Sequence, residues 1–403
     1  MPGKWRFLLS SFFSLIVLTA TFVVSACPYC PPTDATLSEK LAESDAACLV
    51  RFLSSKNGEE LSMQTTTFQI MELMKPSLTY RIEGVIETPY GVTANNGDLF
   101  LLMGQKKDDA MEWSLPVEID EVSREYVRQA PSPEGSSQKE RLAYFLKFLD
   151  VSNPVMSNDA FSEFARSKFE DVEQLRPRLS RVKIRKWLED PNPQLIVRRA
   201  FYGMLLGLCG NNDDAQYLKQ TILAPIKPDQ NRIGIEGMMG GYLLLSGEEG
   251  LQTLIEQKID AVPIDATSSD SRLVDLNGLR MTLSFLWDFR RSQFREESLR
   301  AAMRRYLDRP EFAELAVVDL ARWKDWKPLD QLIAAYGHEP WETKSAKEKI
   351  VAYALSCRKD ATSATVSEFP ASAIKAQQFL DSLDPEFVQS VKRSSGGLTP
   401  AIK

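Results

Sequence analysis

The chain has 403 residues, of which 43% are hydrophobic, so it is long enough for two domains and apolar enough to bury a real core. Its 49 basic and 55 acidic residues give a net charge of −6, which argues against nucleic acid as a partner, because phosphate binding needs concentrated positive charge. The single histidine, His338, excludes zinc-protease motifs, which need two histidines four residues apart. It lies in a turn-forming sequence, where we expect a surface histidine rather than a general base.

The first 26 residues have the pattern of a signal peptide. Lys4 and Arg6 form a positive region, residues 7–24 are almost all apolar, and small residues precede Cys27. We therefore expect an exported protein of the periplasm or cell envelope whose mature chain begins at Cys27. Two alternatives stay open, and they are the only routes by which we expect contact with a membrane. The run of about 18 apolar residues is just long enough to remain as an anchor, or Cys27 carries a lipid, because Val24-Ser-Ala-Cys27 resembles a bacterial lipobox.

Residues 27–120 are predicted to form a small β domain. A capping-box pattern at 36–39 predicts a short helix, after which the period of the apolar residues changes to two. Alternation and turn signals predict five strands, at 47–53, 65–71, 80–87, 99–103 and 111–115. Short, closely spaced strands of this kind are typical of a small antiparallel barrel, such as an OB fold, or of a sandwich.

Residues 121–137 are predicted to be a linker, because Pro131 to Ser137 offers nothing to bury and the apolar period switches to 3.6 directly after it. Residues 138–360 then show consecutive short helical patterns separated by Pro, Gly, Asn and Asp. Many short helices joined by short turns predict a HEAT-like α-solenoid, and an irregular bundle or a closed α/α toroid is the alternative. Residues 361–403 are predicted to be a C-terminal helix and a polar tail.

Two of the predicted helices carry glycines four residues apart. Gly203 and Gly207 lie on an almost wholly apolar stretch at 194–209, and Gly237 and Gly241 lie on a second such stretch. Glycine in a helix interior costs about 1 kcal/mol relative to alanine. The matched pairs therefore predict two interior helices that cross closely.

Several motifs together resemble an uncharacterised family of exported proteins of planctomycete type. The motifs cover nearly all of the predicted mature chain and are Ala26-Cys-Pro-Tyr-Cys30, Thr36-Leu-Ser-Glu39, Ser44-Asp-Ala-Ala47, Gly97-Asp-Leu-Phe-Leu-Leu-Met-Gly104, Gly237-Met-Met-Gly-Gly-Tyr242 and Ala321-Arg-Trp-Lys-Asp-Trp326. The resemblance implies export and a small β domain followed by HEAT-like repeats, and it implies no activity. More distantly, the N-terminal cysteines followed by a helix and a small barrel resemble netrin-like modules, which include metalloproteinase inhibitors.

Cys27, Cys30 and Cys48 are candidates for a disulfide in an exported chain. The motif Cys27-Pro-Tyr-Cys30 is identical to the redox dithiol of glutaredoxin-like proteins, so thiol–disulfide exchange through Cys27 and Cys30 is the alternative catalytic hypothesis. That chemistry needs a thiolate at a helix N-terminus, and Pro31 with Pro32 prevents a helix from following directly.

Trp323 and Trp326 lie three residues apart, with Arg322 and Lys324 beside them, and are the predicted partner-binding residues. We expect one indole to enter the core and the other to line a groove that binds a peptide. No catalytic residue, metal or cofactor is predicted beyond the redox alternative. The sequence therefore favours a non-enzymatic exported scaffold that presents a helical-repeat surface to another protein or peptide. The alternatives are the redox protein, a hydrolase in the helical domain, and a lipoprotein anchored through Cys27.

Overall fold

The fold is taken from a computed structural model. It describes residues 27–31, 33–56, 64–76, 79–108, 110–226, 232–264, 270–363 and 370–394. The predicted signal peptide and the end of the predicted C-terminal tail lie outside these residues. Within them, no helix is both long enough and apolar enough to cross a bilayer.

Six antiparallel strands form one sheet at the N-terminal end of the described chain. They are β1 (Ala46–Lys56), β2 (Thr65–Leu73), β3 (Val85–Thr88), β4 (Leu99–Lys107), β5 (Ala110–Trp113) and β6 (Val117–Ile119). Their order is β3-β2-β1-β4-β5, and β6 pairs with β4 beside β5. The rings of Tyr80, which precedes β3, and Trp113, on β5, lie 5.2 Å apart, so the two ends of the sheet curl toward each other.

The two faces of the sheet belong to two different apolar cores. Cys48, Val50 and Phe68 point into a small core enclosed by the curled sheet. Ala47 and Leu49 point the opposite way and join the large core of the helical region. Because successive side chains of a strand alternate between its faces, β1 is buried on both sides.

The third predicted strand is shorter in the structure than the alternation at 80–87 indicated. Only Val85–Thr88 pairs as a regular strand with β2. Before it, Glu83 has a positive φ of 67° and the N–H of Gly84 donates to the carbonyl of Arg81, so the chain turns there. Ile82, an apolar residue of that alternation, is 59% exposed as a result.

The rest of the described chain is helical apart from its turns, and with α1 it forms a repeat-like array of short helices. The helices are α1 (Leu37–Glu43), α2 (Glu121–Gln129), α3 (Gln138–Phe145), α4 (Pro154–Ala165), α5 (Phe169–Glu173), α6 (Arg181–Glu189), α7 (Pro193–Ile196), α8 (Arg199–Cys209), α9 (Asn212–Leu223), α10 (Ile235–Leu254), α11 (Arg272–Phe289), α12 (Glu296–Arg304), α13 (Pro310–Arg322), α14 (Leu329–Ala335), α15 (Lys344–Ser363), α16 (Ala371–Asp381) and α17 (Pro385–Ser394). Most of them pack against near neighbours in the sequence, such as α8 on α10, α10 on α11 and α13 on α15. The predicted fold class, a helical array after a small antiparallel β domain, is confirmed.

The predicted close crossing of two glycine-bearing helices, α8 and α10, is also confirmed. A Cβ added to Gly237 would lie 1.9 Å from the carbonyl oxygen of Ala200, and one added to Gly241 would lie 2.0 Å from that of Gly203. One added to Gly207 would lie 2.5 Å from the Cα of Gly241. Only hydrogen atoms fit between the two backbones, which is why both helices tolerate glycines in their interiors.

Three predicted segments differ from the structure. Residues 121–137, predicted to be a linker, contain α2, because Asp120 caps a helix there and Tyr126 is buried against the large core. The stretch 194–209 is two helices, since the chain turns between α7 and α8 where Arg198 buries its guanidinium. The predicted C-terminal helix is also two, because Pro385 begins α17 after a turn.

Candidate functional site

The first predicted site, the Cys27–Cys30 pair, forms a disulfide whose loop carries Tyr29 into the helical core. Tyr29 is 6% exposed, and its ring lies 4.9 Å from that of Phe285 on α11. On α10, a Cβ added to Gly240 would lie 2.5 Å from the Tyr29 hydroxyl oxygen, so the ring fits only because that residue is glycine. The loop fastens the N-terminal segment onto two central helices of the array.

The geometry of this loop differs from that of a redox dithiol. Cys27 is 4% exposed, and its backbone N–H donates to the carbonyl of Ala165 at the end of α4. The loop does not lead directly into a helix, since α1 begins at Leu37. A helix N-terminus lowers the pKa of a reactive cysteine. The residues that directly follow this pair supply no such helix.

Cys48, the third disulfide candidate, is a free thiol. It lies on β1 and faces the small core of the sheet. Burial raises its pKa to about 11. A buried thiol with a raised pKa behaves as a small apolar side chain rather than as a nucleophile.

The predicted partner-binding residues, Arg322 to Trp326, form an internal contact between helices that we call the Trp323 junction. Trp323 is 1% exposed and stacks on Trp287 of α11, with ring centroids 4.5 Å apart. This confirms that one indole enters the core. Trp326 is half-buried; its indole N–H donates to Asp360 of α15 at 3.0 Å.

The charged residues of the Trp323 junction are paired within the chain. Arg322 pairs with Asp288 of α11, and Lys324 pairs, at 2.6 Å, with the same carboxylate that accepts from the second indole. Asp325 is 3% exposed and accepts from Arg304 of α12 at 2.7 Å. The residues singled out as a binding surface thus join α11, α12, α13 and α15 to one another.

A second polar cluster holds α1 onto α4. Asp159, 8% exposed, accepts hydrogen bonds from the backbone N–H of Leu37 at 2.7 Å and from the hydroxyl of Tyr126 at 2.6 Å. One turn later Glu163, 3% exposed, pairs with Arg141 of α3 at 2.5 Å. Burial raises the pKa of Asp159 to about 6 despite the two hydrogen bonds that it accepts. Both carboxylates have partners in the chain, so this cluster fixes the N-terminal helix in place.

The site with unused binding groups is an open cleft between α4, α6 and the start of α8, with a volume of about 450 Å³. We call it the Trp187 cleft. The charged and hydrogen-bonding residues of its lining that bear on binding are Asp150, Ser157, Lys183, Lys186, Trp187, Asp190 and Arg198.

One wall of the Trp187 cleft is fixed by a carboxylate. The indole N–H of Trp187 donates to Asp150 Oδ2 at 3.1 Å, and Lys183 pairs with Asp150 Oδ1 at 3.0 Å. The Trp187 ring is 5% exposed and lies 4.9 Å from that of Tyr202 on α8. Because both oxygens of Asp150 have partners, its charge is balanced inside the wall.

Three other groups of the cleft are not balanced in this way. Ser157 is 1% exposed, and its hydroxyl has no hydrogen-bond partner among the described residues. Arg198 is 2% exposed and donates to the carbonyl of Leu149 at 3.0 Å and to Asn158 Oδ1 at 2.6 Å, but no described carboxylate forms an ion pair with it. Lys186 is exposed and likewise has no ion-pair partner in the described part of the chain. The cleft is therefore lined by a hydroxyl without a partner, by a guanidinium with neutral partners (the two acceptors and the Phe161 ring, 4.9 Å away) but no acid, and by an exposed ammonium.

This cleft is not apparent from the amino-acid sequence. The helical pattern around Trp187 is visible, because Lys183 and Trp187 are four residues apart on one face. Ser157 and Arg198 come from distant segments and resemble ordinary helix residues in the sequence. An arginine within an otherwise apolar stretch, Arg198, is the one signal that could have marked a buried charge.

In comparisons with protein-family models, curated proteins and solved structures, nothing matches this chain. Among the described residues, no group of three or more His, Cys, Asp or Glu side chains is placed so that it could hold a metal ion. Any functional proposal must therefore rest on the chain's own contacts.

Proposed function

We propose that the protein is a non-enzymatic exported scaffold whose helical array binds a segment of another protein through the Trp187 cleft. The observation that supports it is the set of polar groups in the cleft that lack a partner or an acid: the Ser157 hydroxyl has no hydrogen-bond partner, and the Arg198 guanidinium and the Lys186 ammonium have no ion-pair partner among the described residues. A peptide backbone and side chain supply acceptors for all three.

The cleft is suited to binding because its walls are already ordered. Asp150 fixes Trp187 and Lys183, and Arg198 is fixed by two acceptors before any ligand arrives. Side chains that are ordered in advance lose little conformational entropy on binding, which raises affinity. A rigid wall with free donors is a common basis for peptide recognition.

Site-specific photocrosslinking in the protein's own cells tests the proposal. A photoreactive phenylalanine analogue at Val197, which is 55% exposed and directly precedes Arg198, is expected to give a discrete adduct that mass spectrometry can identify. The matched control is the same analogue at Ile374, which is 50% exposed on α16 and remote in sequence. Adducts of equal yield at both positions, or at neither, would contradict the proposal.

Export and the state of Cys27 form a separate part of the proposal. The intact, non-reduced mass of protein purified from its own cells tests it. A chain that starts at Cys27 and is lighter by the two hydrogens of a disulfide supports a soluble exported scaffold. A diacylglycerol increment on Cys27 would instead support the lipoprotein alternative and would end the redox hypothesis, because one sulfur cannot hold both a thioether and a disulfide. An unprocessed Met1 would support the membrane anchor.

A further inference from the structure

A run of positive charge borders the Trp187 cleft. We call residues 176–186 the basic segment. Its six cations, with no acid between Glu173 and Glu189, are Arg176, Arg178, Arg181, Lys183, Arg185 and Lys186. A stretch of this kind is unusual in a chain whose net charge is −6. Its placement in the fold decides whether it is structural or available to a ligand.

Helix α6 divides its cations between two faces. Arg181 and Arg185, one turn apart, both pair with the buried Asp214 of α9, at 2.8 and 3.5 Å. They are structural, because they balance a carboxylate that is 0% exposed. Lys183 and Lys186 lie on the other face and line the cleft. On this second face Asp150 pairs with Lys183, so Lys186 is the cation that has no ion-pair partner among the described residues.

Four cations of the basic segment and the cleft have no carboxylate partner among the residues that the structure describes. Arg176 and Arg178 are exposed in the 3₁₀ turn just before α6, and Lys186 is exposed on α6 itself. Arg198 is the fourth and is almost wholly buried. Burying a cation without an opposite charge is costly unless a partner arrives. An anion in the cleft would supply that partner.

We infer that the Trp187 cleft is specific for an acidic polypeptide segment, with one carboxylate of the segment beside Arg198, Ser157 and Lys186 and the rest of the segment attracted by the exposed charge of the basic segment. The inference rests on the proposed function and names the chemistry of its partner. The nine residues of α6 span about 13 Å at 1.5 Å per residue. An extended peptide covers that length with about four residues at 3.3 Å each, so a short acidic run is sufficient.

The shape of the site favours a polypeptide over an anionic membrane. A bilayer surface is flat and reaches only exposed cations, whereas two of the unused groups, Ser157 and Arg198, are buried at the base of a cleft. A flexible carboxylate side chain can enter the cleft, while the rest of the segment stays outside it. Binding to an anionic membrane is therefore an outcome that the test must exclude.

Fluorescence anisotropy of a labelled hexaglutamate peptide with the full mature chain tests the inference. Binding is expected, and it should weaken with added salt, since exposed charges are screened. The double variant Arg178→Glu with Lys186→Glu is expected to weaken binding by about tenfold or more, because it removes two attractive charges and adds two repulsive ones. Ser157→Ala is expected to weaken it by roughly threefold, which is the loss of one hydrogen bond. Lys139→Glu, at an exposed cation of α3, is the charge-matched control and should change little.

Several outcomes would overturn the inference. These are no binding of hexaglutamate, equal binding of hexaglutamine, an equal loss in Lys139→Glu, or stronger binding to phosphatidylserine-containing vesicles than to the peptide. Failure of the inference and failure of the proposed function are separable. If the Val197 crosslink survives in the double charge-reversal variant, the array binds a partner but does not select it by acidity. If the crosslink is absent from the unmodified chain as well, the proposed function itself fails.

Discussion

The Trp323 junction and the Trp187 cleft contain the same kinds of residue and use them in opposite ways. Both combine a largely buried indole with neighbouring arginines and lysines. In the junction, Asp288, Asp325 and Asp360 from three different segments neutralise the cations. In the cleft, one carboxylate balances one lysine and leaves Arg198 and Lys186 without an acid.

The difference lies in the acids that the fold brings to each place. A tryptophan with flanking cations is a frequent feature of binding surfaces, but the same pattern stabilises a helix contact when carboxylates meet it from neighbouring helices. Burial alone does not separate the two cases, since Trp187 and Trp323 are 5% and 1% exposed. The balance of charge around each indole is what distinguishes the cleft from the junction.

The largest expected effect is the removal of the stacked indole in the junction. Trp323→Ala is expected to lower the free energy of unfolding by about 3–5 kcal/mol, because it leaves a cavity beside Trp287. Denaturant unfolding followed by circular dichroism measures the change. Val197→Ala, at an exposed position directly before Arg198, is the control and should stay within about 0.5 kcal/mol of the parent. A loss below about 1 kcal/mol for Trp323→Ala would mean that the junction is not a stabilising contact.

The Asp159 cluster provides a third case, with two buried carboxylates and one arginine, and predicts a pH dependence. The folded pKa of Asp159 is about 6 against an ordinary value of 3.8, so the folded chain binds the proton more tightly than the unfolded chain. Its contribution to stability is therefore greatest at low pH and is lost as the pH rises from about 4 to about 6, by at most about 3 kcal/mol.

The difference in unfolding free energy between the parent chain and Asp159→Asn, measured from about pH 4 to about pH 7, isolates this group from the other acids. The parent should lose stability relative to the variant across that range and then run parallel to it. A constant difference would show that Asp159 keeps an ordinary pKa in the fold.

A smaller effect is expected where a single ion pair of the junction is neutralised. Asp325→Asn keeps the size of the side chain but leaves the guanidinium of Arg304 without this carboxylate, which should cost about 1–3 kcal/mol. Ser157→Ala in the cleft removes a buried hydroxyl that has no partner and should be neutral or slightly stabilising. Comparison of the two midpoints in urea checks the prediction, and similar losses in both would remove the distinction between the two regions.

The smallest effect on stability is expected from the charge reversals in the basic segment. Arg178→Glu with Lys186→Glu should change the free energy of unfolding by no more than about 0.5 kcal/mol, because both side chains are exposed and have no ion-pair partner in the described residues. Thermal unfolding monitored beside the binding assay provides the check. A large loss of stability would reveal that these cations hold the fold together, as Arg181 and Arg185 do.

The fold was largely predictable because it depends on local pattern. The two-residue period of the strands, the helical spacing of apolar residues and the glycine pairs all reflect contacts that repeat along one element. Errors occurred where a distant contact decides the local structure. Tyr126 turns a predicted linker into a helix by packing into the core, and buried Arg198 interrupts a stretch that is otherwise helical.

The candidate site could be predicted only in part. The basic segment is visible in the sequence as an acid-free run, and the spacing of Lys183 and Lys186 places them on one helical face. The carboxylate that pairs with both Arg181 and Arg185, Asp214, comes from a helix about 30 residues later, which no local pattern reveals. Asp360 likewise comes from a distant helix; it pairs with Lys324 and accepts a hydrogen bond from the Trp326 indole in the junction.

Strand β1, buried on both faces, links the thermodynamics of the two halves of the chain. Ala47 and Leu49 belong to the helical core, while Cys48 and Val50 belong to the core of the sheet. If either core loses its packing on β1, the apolar side chains that this strand contributes to the other core are exposed as well. We therefore expect the β region and the first helices to melt as one cooperative unit, and a fragment ending at residue 120 to carry half of an interface on its surface.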